Sequence, residues 1–267
     1  MSRIATYFNE LKTQHKKALI TFITAGDPNP QITVSLLHDL VTSGADILEL
    51  GIPFSDPMAE GPVIQAACER ALIHGVTLTH VLEMVAEFRK DNQTTPIVLM
   101  GYLNPIEIMG YQRFAESAAK SGVDGLIIVD LPVEEAADLD AQLKTHNMDL
   151  IYLIAPTSPP ERITKIAQAA RGFLYYVSFK GVTGANQLDT DAVALKIKQI
   201  REYTDLPVAV GFGIRDEITA KAVAAVADGV VVGSVLVQCL ALAPSIDEGR
   251  AKAKDLVKKI RQAIDVL

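Results

Sequence analysis

The sequence predicts an α/β protein, a single-domain (β/α)8 barrel with an additional N-terminal helix and long loops after strands 2 and 6. Short apolar runs rich in β-branched residues alternate with helical patterns along the whole chain. Eight such strand–helix units fit in 267 residues, close to the roughly 250 residues typical of this barrel. No linker rich in Pro, Gly or Ser interrupts the alternation, so residues 1–267 are expected to form one domain.

Each element follows from the spacing of apolar residues. Residues 2–16 place Ile4, Phe8 and Leu11 at helical spacing, and this helix is expected to cover the closed end of the barrel. The predicted strands are 19–24, 46–50, 97–101, 125–130, 149–154, 173–178, 208–212 and 229–233. The predicted helices between and after them are 30–43, 63–74, 78–91, 111–121, 134–146, 160–171, 189–203, 216–226, 235–242 and 246–264. A doubly wound open sheet is the alternative, because eight apolar runs also suit a large sheet of that kind.

The composition argues against several classes of protein. A net charge of −7 at pH 7 and a pI near 5.3 disfavour nucleic acid or an anionic membrane as the main partner. The two cysteines, Cys68 and Cys239, lie far apart and indicate no disulfide framework. The first residues do not resemble a signal peptide, and no apolar run reaches the ~20 residues that span a bilayer. A cytoplasmic location is therefore expected.

The most informative segment is 47–62, which reads ILELGIPFSDPMAEGP. Glu49 stands inside a short apolar run, where burial of a charge is costly and packing gains little from it. The loop that follows carries two prolines and two further carboxylates, Asp56 and Glu60. A structural ion pair is one interpretation of Glu49. Acid–base chemistry is the favoured one, because barrel active sites lie at the C-terminal ends of the strands.

Glycines near the ends of the last three strands predict an anion site. Strand 7 ends in Gly211-Phe212-Gly213-Ile214, and strand 8 ends in Gly233-Ser234 at the start of a helical run. Glycine lets backbone N–H groups approach an anion closely, and Ser234 is expected to cap the helix. The loop after strand 6 adds Gly181 and Gly184. Each segment alone suits an ordinary tight turn, but three on neighbouring strands favour a phosphorylated small molecule as the ligand.

Apolar walls are expected between the carboxylates and this anion site. Side chains near strand ends that suit such walls are Phe22, Met100, Ile127, Val129, Phe212 and Val231, although barrel core is the simpler interpretation for most of them. Tyr102 and Tyr175 can offer a phenol to a substrate. Asp130 suits a supporting carboxylate or a helix cap equally well. The five histidines show no ligand spacing, so no metal site is predicted.

The residues alone therefore indicate a barrel enzyme acting on a phosphorylated substrate, with Glu49 as acid and base and Glu60 assisting. Lyase, isomerase and aldolase chemistry all remain open at this point. Nothing marks Lys180 as a Schiff-base lysine, since it lies in a loop and not in the barrel interior.

The run LELGIPFSDPMAEGPVIQ resembles the signature segment of the tryptophan synthase alpha subunit family, and nearly the whole chain follows the family pattern. The resemblance implies cleavage of indole-3-glycerol phosphate to indole and glyceraldehyde 3-phosphate. It implies that Glu49 is the catalytic glutamate and that Glu60 is the loop carboxylate that supports positive charge at the indole nitrogen. The residues that it implies for substrate binding are Tyr175, Thr183, Gly184, Gly213, Gly233 and Ser234, and the wall residues Phe22 and Phe212 complete the predicted substrate-binding set.

The sequence departs from the family pattern in two places. Glu60 stands where the family form has aspartate, and the additional methylene moves the carboxylate by about a bond length, which matters for rate. Phe179-Lys180 stands in the loop after strand 6 where some members have arginine, which affects lid contacts more than chemistry.

The resemblance also implies a partner. A beta subunit that holds pyridoxal phosphate is expected in an alpha2beta2 assembly, with no cofactor in this chain. The loop from Pro53 to Asp56 and the segment near Asn104-Pro105 are expected to face that subunit. Two further hypotheses are a protein that only activates the beta partner, with Glu60 marking a weakened site, and another barrel enzyme acting on a phosphorylated substrate.

Overall fold

Eight parallel strands close into a barrel in chain order, so the predicted barrel is confirmed and the open sheet is wrong. A computed structural model describes residues 2–178, 189–211 and 213–267. Closure is direct, because the first strand pairs with both the second and the eighth. The strands are β1 Ala18–Thr24, β2 Ile47–Gly51, β3 Ile97–Gly101, β4 Gly125–Ile128, β5 Asp149–Ile154, β6 Leu174–Val177, β7 Val208–Gly211 and β8 Gly229–Val232.

Alternation along the strands separates two apolar layers. One residue set points into the barrel and forms a compact core that includes Ile20, Ile47 and Val98. The intervening residues point outwards and pack against the helices, as Leu19 and Leu48 do. Because Ile47 points inwards, Glu49 two residues later also points into the barrel, which places a carboxylate at the carboxyl end of β2.

Helices follow the strands around the outside of the barrel. They are α1 Arg3–Thr13, α2 Thr33–Thr42, α3 Pro62–Ile73, α4 Leu78–Asp91, α5 Leu103–Met109, α6 Tyr111–Ser121, α7 Ala137–Thr145, α8 Pro160–Ala169, α9 Thr190–Arg201, α10 Glu217–Ala224, α11 Ser234–Ala241 and α12 Ile246–Ile264, with a 3-10 turn at Pro30–Ile32. The predicted helices did not include α5, which contains Pro105. Pro105 lies in the first turn, where its missing N–H group has no intrahelical acceptor.

The first helix closes the N-terminal end of the barrel, as predicted. Ile4, Phe8 and Leu11 are buried in the same cluster as the inward-pointing strand residues. The start of α1 is held by hydrogen bonding between Ser2 and Asp149 and by an ion pair between Arg3 and Asp124. With α1 packed into this end, a site inside the barrel is expected at the opposite, C-terminal end.

The long connection after β2 runs from residue 52 to 61 and leads into α3. The predicted loop after strand 6, which includes Phe179-Lys180, lies outside the described residues. Within the described chain, no single helix is long and apolar enough to cross a membrane. The bent pair α3 and α4 meets the length and composition criteria only when taken together.

Candidate active site

Glu49 is a buried carboxylate surrounded by apolar side chains. It lies in register with Phe22 on β1 and Val98 on β3, and it is only 1% exposed. Among the described residues neither carboxylate oxygen has a hydrogen-bond partner, and Glu49 forms no ion pair with them. The structural ion pair considered for Glu49 is therefore not formed with any described residue.

This environment holds Glu49 in its protonated form near neutral pH. Burial, and to a smaller extent the negative charge of Glu60, together raise the pKa of the carboxyl group to about 8. The protonated group can donate a proton at pH 7, and the carboxylate left behind is a strong base.

Glu60 approaches the same space from the loop after β2. It is partly buried, and burial raises its pKa to about 7. Its backbone N–H donates to the carbonyl of Pro57 at 3.0 Å, which forms a tight turn at the end of the loop. The two glutamates therefore differ in their affinity for a proton, and Glu60 ionises first.

Both carboxylates open onto one cavity of about 310 Å³ at the C-terminal end of the barrel. Its lining is formed by Phe22, Glu49, Glu60, Gly61, Ile64, Met100, Tyr175, Gly213, Ile214, Arg215, Val231, Gly233, Ser234, Val235 and Gln238. The predicted carboxylates, the predicted tyrosine and the described part of the glycine cluster thus share one space. Its volume lies within the range of small-molecule sites, roughly 300–1,000 Å³.

Some predicted site residues do not line this cavity. Ile127 belongs to the barrel interior, and Val129 lies in the turn after β4. Thr183, Gly184 and Phe212 lie outside the described residues.

The end of the cavity near β7 and β8 can accept an anion. Gly213 adopts a left-handed conformation (φ 80°), which favours glycine. Gly233 is the N-cap of α11 and makes no side-chain cap, so backbone N–H groups at the start of this helix are available to a ligand. Ser234 was expected to cap the helix, but it is the first helical residue, because the chain enters the helical conformation one residue earlier.

Tyr175 fills the space between the carboxylates and β7. It is 7% exposed, and burial raises its pKa well above the ordinary value, so its phenol stays protonated. A Cβ atom at Gly211 would collide with this phenol oxygen, so glycine there makes room for the tyrosine. Tyr175 can therefore donate a hydrogen bond to a ligand next to Glu49.

The family model for the tryptophan synthase alpha chain matches residues 8–265. The chain belongs to this family. A tryptophan synthase alpha chain of Chromobacterium violaceum is 60% identical over 264 residues, which is 99% of this chain and 100% of the relative. Tryptophan synthase subunit alpha from Legionella pneumophila has a similar solved structure, with a TM-score of 0.93, 47% identity and 100% of both chains covered. An aminoacrylate-bound tryptophan synthase from M. tuberculosis gives a TM-score of 0.88 at 34% identity, covering 99% of this chain and 100% of that one.

The resemblance to the tryptophan synthase alpha chain family seen in segment 47–62 is thus confirmed over the full barrel. Several cavity residues were nevertheless missed by sequence reasoning. Ile64 lies in the first turn of α3, Val235 and Gln238 lie in the first two turns of α11, and Arg215 follows Gly213 by two residues. A position just after a strand or at the start of the next helix is the signal that would have identified them.

Asp130 was predicted to be either a supporting carboxylate or a helix cap. Asp130 accepts a hydrogen bond from the N–H group of Leu103 at 2.8 Å, so it caps the start of α5 and does not line the cavity. In the described part of the chain, no group of three or more His, Cys, Asp or Glu side chains is arranged to hold a metal ion.

The raised pKa of Glu49 predicts a stability effect in the replacement Glu49→Gln. The folded state binds the Glu49 proton more tightly than the unfolded state does, so proton binding stabilises the fold. This stabilisation is complete below the ordinary pKa of 4.5 and is lost as pH rises through about 8. Glutamine does not titrate. We therefore compare the free energy of unfolding of Glu49→Gln minus that of the wild type at the two pH values. This difference is expected to be on the order of 2–4 kcal/mol higher at pH 9 than at pH 5.

Urea unfolding of both proteins at pH 5 and pH 9 measures this difference. Glu83→Gln, at an exposed position on α4, is the control and should show no such change with pH. An equal effect of Glu49→Gln at both pH values would show that the carboxyl group titrates normally in the folded protein.

Proposed function

We propose that this cavity is where the chain cleaves indole-3-glycerol phosphate to indole and glyceraldehyde 3-phosphate. The observation that carries the proposal is the shared cavity. On one side it has a protonated Glu49 with no hydrogen-bond partner among the described residues, and on the other an anion-accepting helix start. The substrate has the matching features, an aromatic ring to be protonated and a phosphate to be held. Membership of the alpha chain family supports the same reaction.

Glu49 acts twice in this reaction. It first donates its proton to C3 of the indole ring, which places positive charge on the ring nitrogen. The resulting carboxylate then removes the proton from the hydroxyl group on the adjacent side-chain carbon. The bond between that carbon and C3 breaks, its electron pair restores the indole ring, and the carbon becomes the aldehyde. Glu49 ends the cycle protonated, so protons and electrons balance.

Other cavity residues stabilise and orient the substrate. The ionised Glu60 lies opposite the ring nitrogen and stabilises the positive charge that forms there. Phe22 and Met100 contact the faces of the ring, and Tyr175 donates a hydrogen bond to the substrate. The phosphate is held by backbone N–H groups at Gly213, Gly233 and Ser234. Thr183 and Gly184, which the family pattern assigns to substrate binding, and Phe212, a predicted wall residue, complete the proposed set.

A beta subunit is the expected partner of a chain of this family. We place pyridoxal phosphate on that subunit and none in this chain, in an alpha2beta2 assembly. The partner-facing surface is proposed to include the loop from Pro53 to Asp56 and the segment at Asn104-Pro105. Ser55 and Asp56 are exposed, as this role requires.

Steady-state cleavage of indole-3-glycerol phosphate, alone and with a beta subunit, tests the function directly. We expect release of indole and glyceraldehyde 3-phosphate in both states. No cleavage in either state would identify a protein that only activates its partner. Turnover of a different compound from a panel of phosphorylated substrates, with none of this one, would identify another barrel enzyme.

Arg215 gives a prediction about substrate affinity. Among the described residues that line the cavity it is the cationic one, and it stands beside Gly213 at the anion end. Arg215→Gln is therefore expected to raise KM several-fold while leaving kcat nearly unchanged, because a charge on the phosphate acts equally in the ground and transition states. The loss should shrink at high salt, since the side chain is exposed.

Steady-state kinetics at low and high salt measure this change. Arg113→Gln, an exposed position on α6 away from the cavity, is the matched control. An unchanged KM in Arg215→Gln would remove Arg215 from the phosphate site.

A further inference from the structure

The tip of the loop that carries Glu60 is exposed. Residues 55, 56, 58 and 59 are exposed, and hydrogen bonds within the loop link Met58 to Asp56 and Glu60 to Pro57. Such internal turns shape the loop but do not fix its position over the cavity. A carboxylate that must meet a small ring nitrogen needs a fixed position, since a displacement of about 1 Å can lower a rate roughly 100-fold.

Two side chains from outside the loop hold it on either side of Glu60. The phenol oxygen of Tyr102 accepts a hydrogen bond from the N–H group of Ala59 at 3.0 Å. The side-chain amide of Gln65 donates to the carbonyl oxygen of Glu60 at 2.8 Å. One bond lies just before the Cα atom of Glu60 and the other just after it.

Both side chains are themselves held in place. Tyr102 is 3% exposed, and its ring stacks on Phe54 with centroids 5.2 Å apart. It follows β3 directly, at the N-terminal boundary of α5. Gln65 lies in the first turn of α3, immediately after the loop. The loop is thus fixed to the neighbouring strand end on one side and to a helix on the other.

We infer that Tyr102 and Gln65 are positioning residues for Glu60. They hold Glu60 over the cavity by hydrogen bonding to the backbone on both sides of its Cα atom. Neither residue needs to touch the substrate for this role. The inference rests on the proposed function, because it assigns a purpose to the position of the Glu60 carboxylate in the cleavage reaction. Phe54, a residue of the same loop, contributes to this role because its ring stacks on the ring of Tyr102.

The replacement Tyr102→Phe removes the acceptor and keeps the stacked ring. The N–H group of Ala59 can then bond to water, because Ala59 is exposed, so the fold should survive. We expect kcat for cleavage to fall about tenfold with KM within twofold of the wild type. Gln65→Leu, which removes the donor at similar size, should act in the same way. The controls are Tyr152→Phe on β5 and Gln142→Leu on α7, and they should retain full kcat.

A double-mutant cycle separates positioning from a general structural role. If Tyr102 acts through Glu60, the tenfold loss should shrink to less than twofold when Tyr102→Phe is made in the Glu60→Gln background. Single-turnover measurements with enzyme in excess keep the slow variants measurable. The same loss in both backgrounds, or no loss in the wild-type background, would overturn the inference. Absence of cleavage by the wild type itself would instead reject the proposed function.

Discussion

Replacement of Glu49 by glutamine is expected to lower kcat for cleavage of indole-3-glycerol phosphate by roughly 10³-fold or more. Glutamine has nearly the same shape, but it can neither donate the proton to C3 nor accept one from the hydroxyl group. Both chemical steps assigned to this side chain are lost together. The carboxyl group is buried and has no hydrogen-bond partner among the described residues, so no described side chain is hydrogen-bonded to it as a proton relay.

Binding should survive in this variant. The anion end of the cavity lies on β7, β8 and α11, away from β2, so an unreactive phosphate-bearing analogue should bind within a few-fold of its wild-type affinity by calorimetry. Glu83→Gln on α4 should keep full activity. If Glu49→Gln retained kcat within tenfold of the wild type, another group would have to be the acid and base.

The barrel and its carboxylate could be predicted because local pattern and fold agree. The alternation from Ile47 to Glu49 determines which face of β2 each side chain occupies once the strand is buried on both sides. Parallel strands of a closed barrel then bring Glu49 and Gly233 to the same end, whatever the details of the loops. For this reason the shared cavity was predictable from strand ends alone.

Contacts between loops were not predictable in this way. The bond from Ala59 to Tyr102 joins residues 43 apart in the chain, and it depends on how two connections meet above the barrel. Helix α5 was not among the predicted helices, and its first turn contains Pro105, a position where proline is compatible with a helix. The cap of α11 was misplaced by one residue, a common uncertainty at helix ends. The position of Glu60 depends on such contacts between loops, and so does its proposed contribution to the rate of cleavage.

The pH dependence of kcat should reveal the two carboxylates as a pair. Activity requires Glu60 ionised and Glu49 protonated, so kcat should rise as pH passes about 7 and fall as pH passes about 8. The resulting maximum is narrow, because the two pKa values lie close together. In Glu60→Gln the acidic limb should disappear and kcat at the optimum should fall about 100-fold, because the charge opposite the indole nitrogen is lost.

The alkaline limb of the kcat profile provides a second, independent test with the variant Glu60→Gln. The charge of Glu60 contributes to the raised pKa of Glu49, so its removal should move the alkaline limb of Glu60→Gln to lower pH. Glu60→Asp, which keeps the charge and restores the residue of the family pattern, should retain both limbs and much of the rate. Profiles of kcat from pH 5.5 to pH 9.5 for the three proteins make the comparison. An acidic limb that survives unchanged in Glu60→Gln would belong to another group, such as the substrate phosphate. Glu60 would then have no part in setting the charge state of the active enzyme.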